Sequence, residues 1–205
     1  MTIIDKRSRL IDSAAILFHR QGVIGTSLAD IAKQAEIPIG NVYYYFKTKE
    51  ELALAAISRR KEQFSAGYIL LEENIADPRQ RLIEAIKYFD NVRDEYTYFG
   101  CPIGKIINDA DVEKDVVVKT AALVLVDFVD WAERQFRQLG YNDEARVYAT
   151  SLVAGIQGAA IMAKATRNPQ VIADEITRLV GWLETLPNRK IQLGKIKLPA
   201  ISSAA

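Results

Sequence analysis

Residues 25–46 read Gly25-Thr-Ser-Leu-Ala-Asp-Ile-Ala32, Lys33-Gln-Ala-Glu-Ile37 and Pro38-Ile-Gly-Asn-Val-Tyr-Tyr-Tyr-Phe46. Ser27-Leu-Ala-Asp30 has the spacing of a capping box: the Ser27 hydroxyl accepts from the Asp30 backbone N–H, and the Asp30 carboxylate reaches back to the Ser27 N–H. A short helix with Leu28, Ile31, Ala32 and Ala35 turned inward follows from it. That helix stops near Glu36-Ile37, and Pro38 suits the first turn of the next, where its missing N–H has no intrahelical partner anyway. The helix expected from Pro38 to about Phe46 buries Val42, Tyr45 and Phe46, spaced i, i+3, i+4. Ile39, Gly40, Asn41, Tyr43 and Tyr44 fill the remaining arc. Two short helices joined by a tight connection form a helix-turn-helix. The second helix of such a pair can enter a major groove about 12 Å wide if its free face is slim and polar near the N-terminal end. Gly40 allows close approach, Asn41 can pair with adenine, and Ile39 or a tyrosine ring can meet a thymine methyl. Tyrosine hydroxyls can donate to phosphates, and Lys49 adds its charge to a positive helix end. Spacing alone leaves a second option open, in which the three tyrosines are simply core and rim.

Outward from this unit the chain is helical throughout. Upstream, Leu10, Ala14, Leu17 and Phe18 make one apolar stripe over residues 6–21, and Gly22 and Gly25 bracket its end. Downstream, Thr48 is a plausible N-cap for a long helix from Lys49 towards Asn74, and Ala76-Asp-Pro78 breaks it. Further helices are expected from Pro78 to about Tyr98, from Pro102 to near Asp109, over 112–139 with Gly140 closing, from Asp143 to about Arg167, and from Asn168-Pro169 to near Leu186. No strand alternation of useful length and no internal repeat is present. The expected fold is all-α with about nine helices. It divides into an N-terminal three-helix helix-turn-helix domain (1–48), a long connecting helix (49–74), a C-terminal helical bundle (75–187) and a flexible or loosely docked tail (188–205). The tail carries Arg189, Lys190, Lys195 and Lys197, so a basic arm against DNA or a partner subunit is its other reading.

Composition narrows the chemistry. The 205 residues carry 27 Lys+Arg against 26 Asp+Glu, a net charge of +1. Residues 1–65 hold 10 of those bases and 7 of the acids, a mild excess that permits nucleic-acid binding without requiring it. No apolar run approaches the roughly 18 residues of a membrane span, so no membrane partner is expected. Met1-Thr-Ile-Ile-Asp-Lys6 lacks an apolar signal core, and the single cysteine, Cys101, forms no internal disulfide; both fit the cytoplasm. With one histidine, His19, a His-rich metal site or a His-based triad has nothing to build on. No metal, no cofactor and no catalysis are expected.

The stretch from Asp5 to Arg60 resembles the DNA-binding domain of the TetR family of bacterial transcriptional regulators (TetR/AcrR type). The matching residues are Gly25–Ala32, Asn41-Val-Tyr-Tyr-Tyr-Phe46 and Lys47-Thr-Lys-Glu-Glu-Leu52. The resemblance implies that Thr26, Ser27, Tyr43 and Lys49 touch phosphates, with Lys47 in the same motif, and that Ile39, Gly40, Asn41 and Tyr44 face bases or the groove wall. Two positions depart from the family pattern. Glu36 stands where the turn commonly has glycine; if that site needs φ > 0, Glu costs on the order of 1 kcal/mol. Pro38 replaces a frequent Ser or Thr cap.

Beyond Arg60 the resemblance weakens, and what it implies there is a bundle holding a small organic effector whose binding changes the spacing of two recognition helices. The residues expected to line that pocket are Tyr88, Tyr96, Phe99, Cys101, Phe128, Trp131 and Gln157, the aromatic ones being otherwise plain core. Gly100-Cys-Pro-Ile-Gly104 is expected to force a turn between helices. It is no P-loop, since Gly100-x-x-x-Gly104-Lys105 is one residue short and lacks Ser/Thr after the lysine. Asp109-x-Asp-x-Glu-x-Asp115 imitates a calcium loop but has Lys114 for the turn glycine and Thr120 for the bidentate Glu. Ser151-x-x-x-Gly155 and Ala154-x-x-x-Gly158 form a flat stripe. Leu152, Gly155, Ile156, Ala159 and Met162, joined by Ile172, Ile176, Leu179 and Leu183, are expected to make an isologous four-helix homodimer interface, or else to pack within the chain. The expected partners are therefore double-stranded operator DNA of palindromic form, a small organic effector and a second copy of the chain, and the expected role is repression relieved by the effector. An activator, or a helical small-molecule binder without regulated DNA binding, is the alternative.

Overall fold

The computed structural model describes residues 5–109 and 116–189. Among these residues the chain forms ten α-helices and no strand: α1 Lys6–Gln21, α2 Leu28–Gln34, α3 Ile39–Tyr45, α4 Lys49–Asn74, α5 Pro78–Asn91, α6 Arg93–Phe99, α7 Pro102–Asn108, α8 Val116–Gln138, α9 Ala145–Thr166 and α10 Gln170–Thr185. The all-α architecture is the expected one. The added helix comes from a break at Val92, where ψ is 9° and no glycine or proline marks the site; it divides the helix expected over 78–98. The tail from Lys190 onward, the acidic run over 110–115 and residues 1–4 lie outside the described residues.

The caps follow local chemistry. The Asp5 carboxylate accepts from the Ser8 N–H (2.8 Å), Thr48 Oγ1 from the Glu51 N–H (3.1 Å), and Asp77 from the Arg79 N–H (3.0 Å). Gly22, Gly100 and Gly140 have φ of 82°, 83° and 93°, a backbone that side chains rarely tolerate. At Gly140 the Tyr141 N–H returns to Phe136 O (3.1 Å) and the Gly140 N–H to Arg137 O (3.0 Å), the paired bonds that stop a helix.

Two apolar cores share the long helices. The first gathers Leu10, Ala14, Phe18, Ile31, Val42 and Phe46 of α1–α3 with Leu52 and Ile57 of α4, and extends to Ile103 and Ile106 of α7 and Val117 and Val124 of α8. The second is built from α5, α6, the distal half of α8, α9 and α10 around Trp131, Phe136, Leu152 and Leu183. The first core therefore does not end at residue 48: the opening turns of α4 belong to it, and α7 and α8 carry it into the bundle.

Candidate nucleic-acid interface and effector cleft

The capping box forms as the sequence requires. The Asp30 N–H donates to Ser27 Oγ (3.1 Å), while the Ser27 N–H (2.9 Å) and Oγ (2.6 Å) both donate to Asp30 Oδ2. Those bonds hold the Asp30 carboxyl below its ordinary pKa. α2 ends in a left-handed residue, Glu36, at φ 52°. The Ile37 N–H reaches Ala32 O (2.9 Å) and the Glu36 N–H reaches Lys33 O (3.1 Å), a glycine-type stop made with glutamate. Arg9 steadies this turn from α1, donating to Ala35 O (2.5 Å) and approaching the Glu36 carboxylate at 3.4 Å.

On α3 the inward set is as expected: Val42 and Phe46 are buried and Tyr45 is half-buried. Pro38 serves as N-cap, one place before the helix proper, and the Asn41 N–H donates to its carbonyl (2.8 Å). Tyr44 (78% exposed), Tyr43 (50%) and Ile39 (43%) stand outward with Gly40, and Asn41 is half-exposed beside them. Around Gly40 a Cβ would meet nothing within 4 Å, so the glycine is not demanded by the chain's own packing. Tyr44 meets Tyr45 edge-on at 5.0 Å between ring centres, which fixes its ring relative to the core.

The flanking cations are anchored to backbone. Lys47 Nζ donates to Tyr43 O (2.7 Å), and Lys49 Nζ to Val23 O (2.7 Å) and Ile24 O (3.4 Å). Ser27 is exposed at the start of α2. Thr26 requires a correction: its side chain is buried and its hydroxyl donates to Gly22 O (2.6 Å). It shapes the α1–α2 loop instead of offering a hydroxyl to phosphate.

That loop is also bonded from behind. The Val23 N–H donates to Asp109 Oδ2 (2.8 Å) at the end of α7, and a Cβ on Gly22 would fall 2.1 Å from that oxygen. One turn earlier, His19 Nε2 lies 2.7 Å from Gly100 O. A carbonyl only accepts, so Nε2 carries the proton. Burial lowers the His19 pKa, against the opposing pull of that hydrogen bond. The His19 ring meets Tyr96 and Phe99 edge-on, and Arg20 covers Phe99. The Gly100-Cys-Pro turn is thus where the helix-turn-helix unit meets the bundle. Cys101 Sγ caps α7 by accepting from the Gly104 N–H (3.4 Å).

A cleft of about 1030 Å³ opens between α4, α5 and α10, floored by Phe128 of α8. Of the residues expected to line a pocket, Tyr88 and Phe128 do. Tyr96, Phe99, Cys101, Trp131 and Gln157 do not line it: Tyr96 is buried against Phe89 and the Cys101 thiol, Phe99 packs on His19, and Gln157 faces Gly104. Trp131 stacks behind Tyr68 at 4.7 Å and donates from Nε1 to Glu72 (2.9 Å). The missed wall is α4, through Arg60, Phe64, Gly67, Tyr68 and Leu71. Their i, i+4, i+7, i+8, i+11 spacing is a helical stripe that could have been read from the sequence. Burial pushes the Tyr68 hydroxyl pKa up, so it stays protonated.

The residues expected at a dimer interface separate by face. Leu152, Ile156, Ala159, Ile172, Ile176, Leu179 and Leu183 are buried in the chain's own second core, because α9 and α10 pack those sides on α8 and α5. Gly155 is covered in part by the Glu175–Arg178 pair of α10. Only Met162 of that set is exposed (53%), in line with Val147 and Ile161 and with Ser151, Ala154 and Gly158 between them. The exposed face of α9 is thus the one opposite most of the expected residues, since α9 is apolar or small nearly all round.

Comparison with known proteins then sorts the geometry. Residues 10–56 match the family model for bacterial regulatory proteins of the tetR family. Residues 10–56 are a TetR-type DNA-binding domain, and the chain is similar over most of its length to HTH-type transcriptional regulators. Among curated relatives, it is 25% identical over 170 residues to the HTH-type transcriptional regulator LmrA of Bacillus subtilis (strain 168), covering 80% of this chain and 89% of that one. It is 28% identical over 106 residues to the biofilm operon icaADBC HTH-type negative transcriptional regulator IcaR of Staphylococcus aureus (strain Newman), covering 44% and 57%. A TetR transcriptional regulator from Legionella pneumophila shares the fold with a TM-score of 0.77 at 18% identity, over 87% of this chain and 97% of that one. The TetR family is one of regulators and not of enzymes. No helix among the described residues is long and apolar enough to cross a membrane.

Proposed function

We propose that this regulator is an intracellular repressor: a homodimer that holds a palindromic operator and releases it when a small organic molecule enters the α4–α5–α10 cleft. The observation that carries the reading is the double attachment of the reading head. α4 contributes its first turns to the helix-turn-helix core and its later turns to the cleft wall. Behind it, His19–Gly100 ties the end of α1 to the end of α6, and Val23–Asp109 ties the α1–α2 loop to α7. A ligand that moves α4 or α6 moves α3 with them. Asn41, Ile39, Gly40 and Tyr44 would face the groove, and Ser27, Tyr43, Lys47 and Lys49 the phosphates.

Two half-sites on one DNA face need two copies of α3 about 34–36 Å apart or a multiple of that. The outward row of α9, with the exposed side of α10, is the surface on which a second copy would set that spacing. Repression, as against activation, draws support from IcaR, whose name describes a negative regulator. The test is selection of bound genomic fragments by the purified protein, followed by titration against salt. The expected result is one inverted-repeat sequence bound as a dimer, with affinity falling steeply as salt rises. Recovery of no preferred sequence, or binding insensitive to salt, would leave a helical small-molecule binder as the better account.

A further inference from the structure

The cleft carries one cation more than its carboxylates can match. Lys87 Nζ is paired with Glu84 (3.0 Å) and Arg93 with Asp90 (3.1 Å), which uses both acids of the lining. Arg60, the third cation, makes no hydrogen bond or ion pair among the described residues. Its guanidinium lies 6.0 Å from the Phe64 ring centre. It is half-buried, and a cation drawn out of water without a counter-ion is a costly arrangement that an arriving anion relieves.

The surrounding wall is aromatic and ordered. Phe64 and Tyr68 stack with 13° between ring planes, Tyr68 and Phe128 with 18°, and Tyr88 meets Phe64 edge-on. Arg60, Phe64 and Tyr68 stand a turn apart on α4, so the cation and the deepest ring are separated by about 12 Å along the helix. Arg60 also borders the small space under α1 beside His19 and Pro102, next to the junction with the reading head.

From these placements we infer that the ligand of the cleft is an organic carboxylate with a flat, ring-bearing body. The rings lie along Tyr68 and Phe128, and the carboxylate takes two N–H donors of Arg60, the fork geometry a guanidinium offers and an ammonium does not. The cleft volume of about 1030 Å³ suits a body of more than one ring. This rests on reading the cleft as the effector site.

The test is calorimetric titration of the full chain, without DNA, with biphenylcarboxylate and with its neutral counterpart biphenylmethanol. The wild type should prefer the acid by about tenfold or more, the range expected of charge-assisted hydrogen bonds. Arg60→Gln should bring the acid down to the level of the alcohol and leave the alcohol unchanged, while Arg60→Lys keeps part of the preference. Equal affinity of the wild type for both probes, binding of neither, or a preference that survives Arg60→Gln overturns the inference. The acid-to-alcohol comparison in the wild type stands even if a variant does not fold. Because no DNA is present, failure to bind an operator would sink the regulatory reading and leave this result untouched.

Discussion

Glu36 shows what a single residue costs when the backbone overrules it. Its φ of 52° is the value expected if the turn needs the conformation that glycine supplies, and among the described residues its carboxylate has one ionic partner, Arg9, in an exposed pair worth little. Glu36→Gly should raise the unfolding free energy by about 1 kcal/mol, seen as a higher urea midpoint with an unchanged m-value. On the exposed arc of α3, Asn41→Ala should relax base preference at one operator position by about 1–3 kcal/mol. Lys49→Ala should weaken all sequences alike and flatten the salt slope by about one phosphate. Uniform, sequence-blind losses from both variants would contradict the division of roles. At this scale the sequence was legible wherever a residue acts on its near neighbours: the capping box, the Thr48 cap and the inward faces of α1–α3 all follow from spacing. Thr26 was not, because nothing in the string of letters tells whether a hydroxyl beside a loop faces solvent or the carbonyl of Gly22.

Helices are where periodicity speaks and where it falls silent. α4 has a readable stripe, yet its lining of the cleft depends on which helices oppose it. α9 offers small or apolar side chains on almost every side, so its inward and outward faces cannot be told apart without its neighbours. Leu152→Ala, now placed in the chain's own core, should cost about 2–5 kcal/mol of stability. The contact between α1 and α6 has a pH signature. Burial holds the His19 pKa below 6.5 in the folded chain, so above about pH 6.5 its full contribution is present. As pH falls from there towards the lowered folded value, the unfolded chain binds the proton first and stability is lost. His19→Gln should flatten that part of the stability profile; since the chain has one histidine, the difference between the two profiles reports this site.

At the scale of the whole molecule, Met162→Glu on the outward row of α9 should leave the fold intact and turn the proposed homodimer into a monomer. Sedimentation would show the monomer, and affinity for a two-half-site operator would collapse towards that for one half-site. An unchanged sedimentation coefficient would place the interface elsewhere. The sharing of one core by α4, α7 and α8 was not legible in the sequence, since it joins segments far apart in the chain. The staple between Val23 and Asp109 limits how such proteins can be recombined. Transplanting the first 48 residues onto a different effector module would strand the loop's amide unless the recipient also presents a carboxylate at the foot of its own short helix. If the cleft takes the effector proposed for it, chimeras built by cutting in α4 alone should respond poorly to that molecule, and supplying that one acid is the repair to try first.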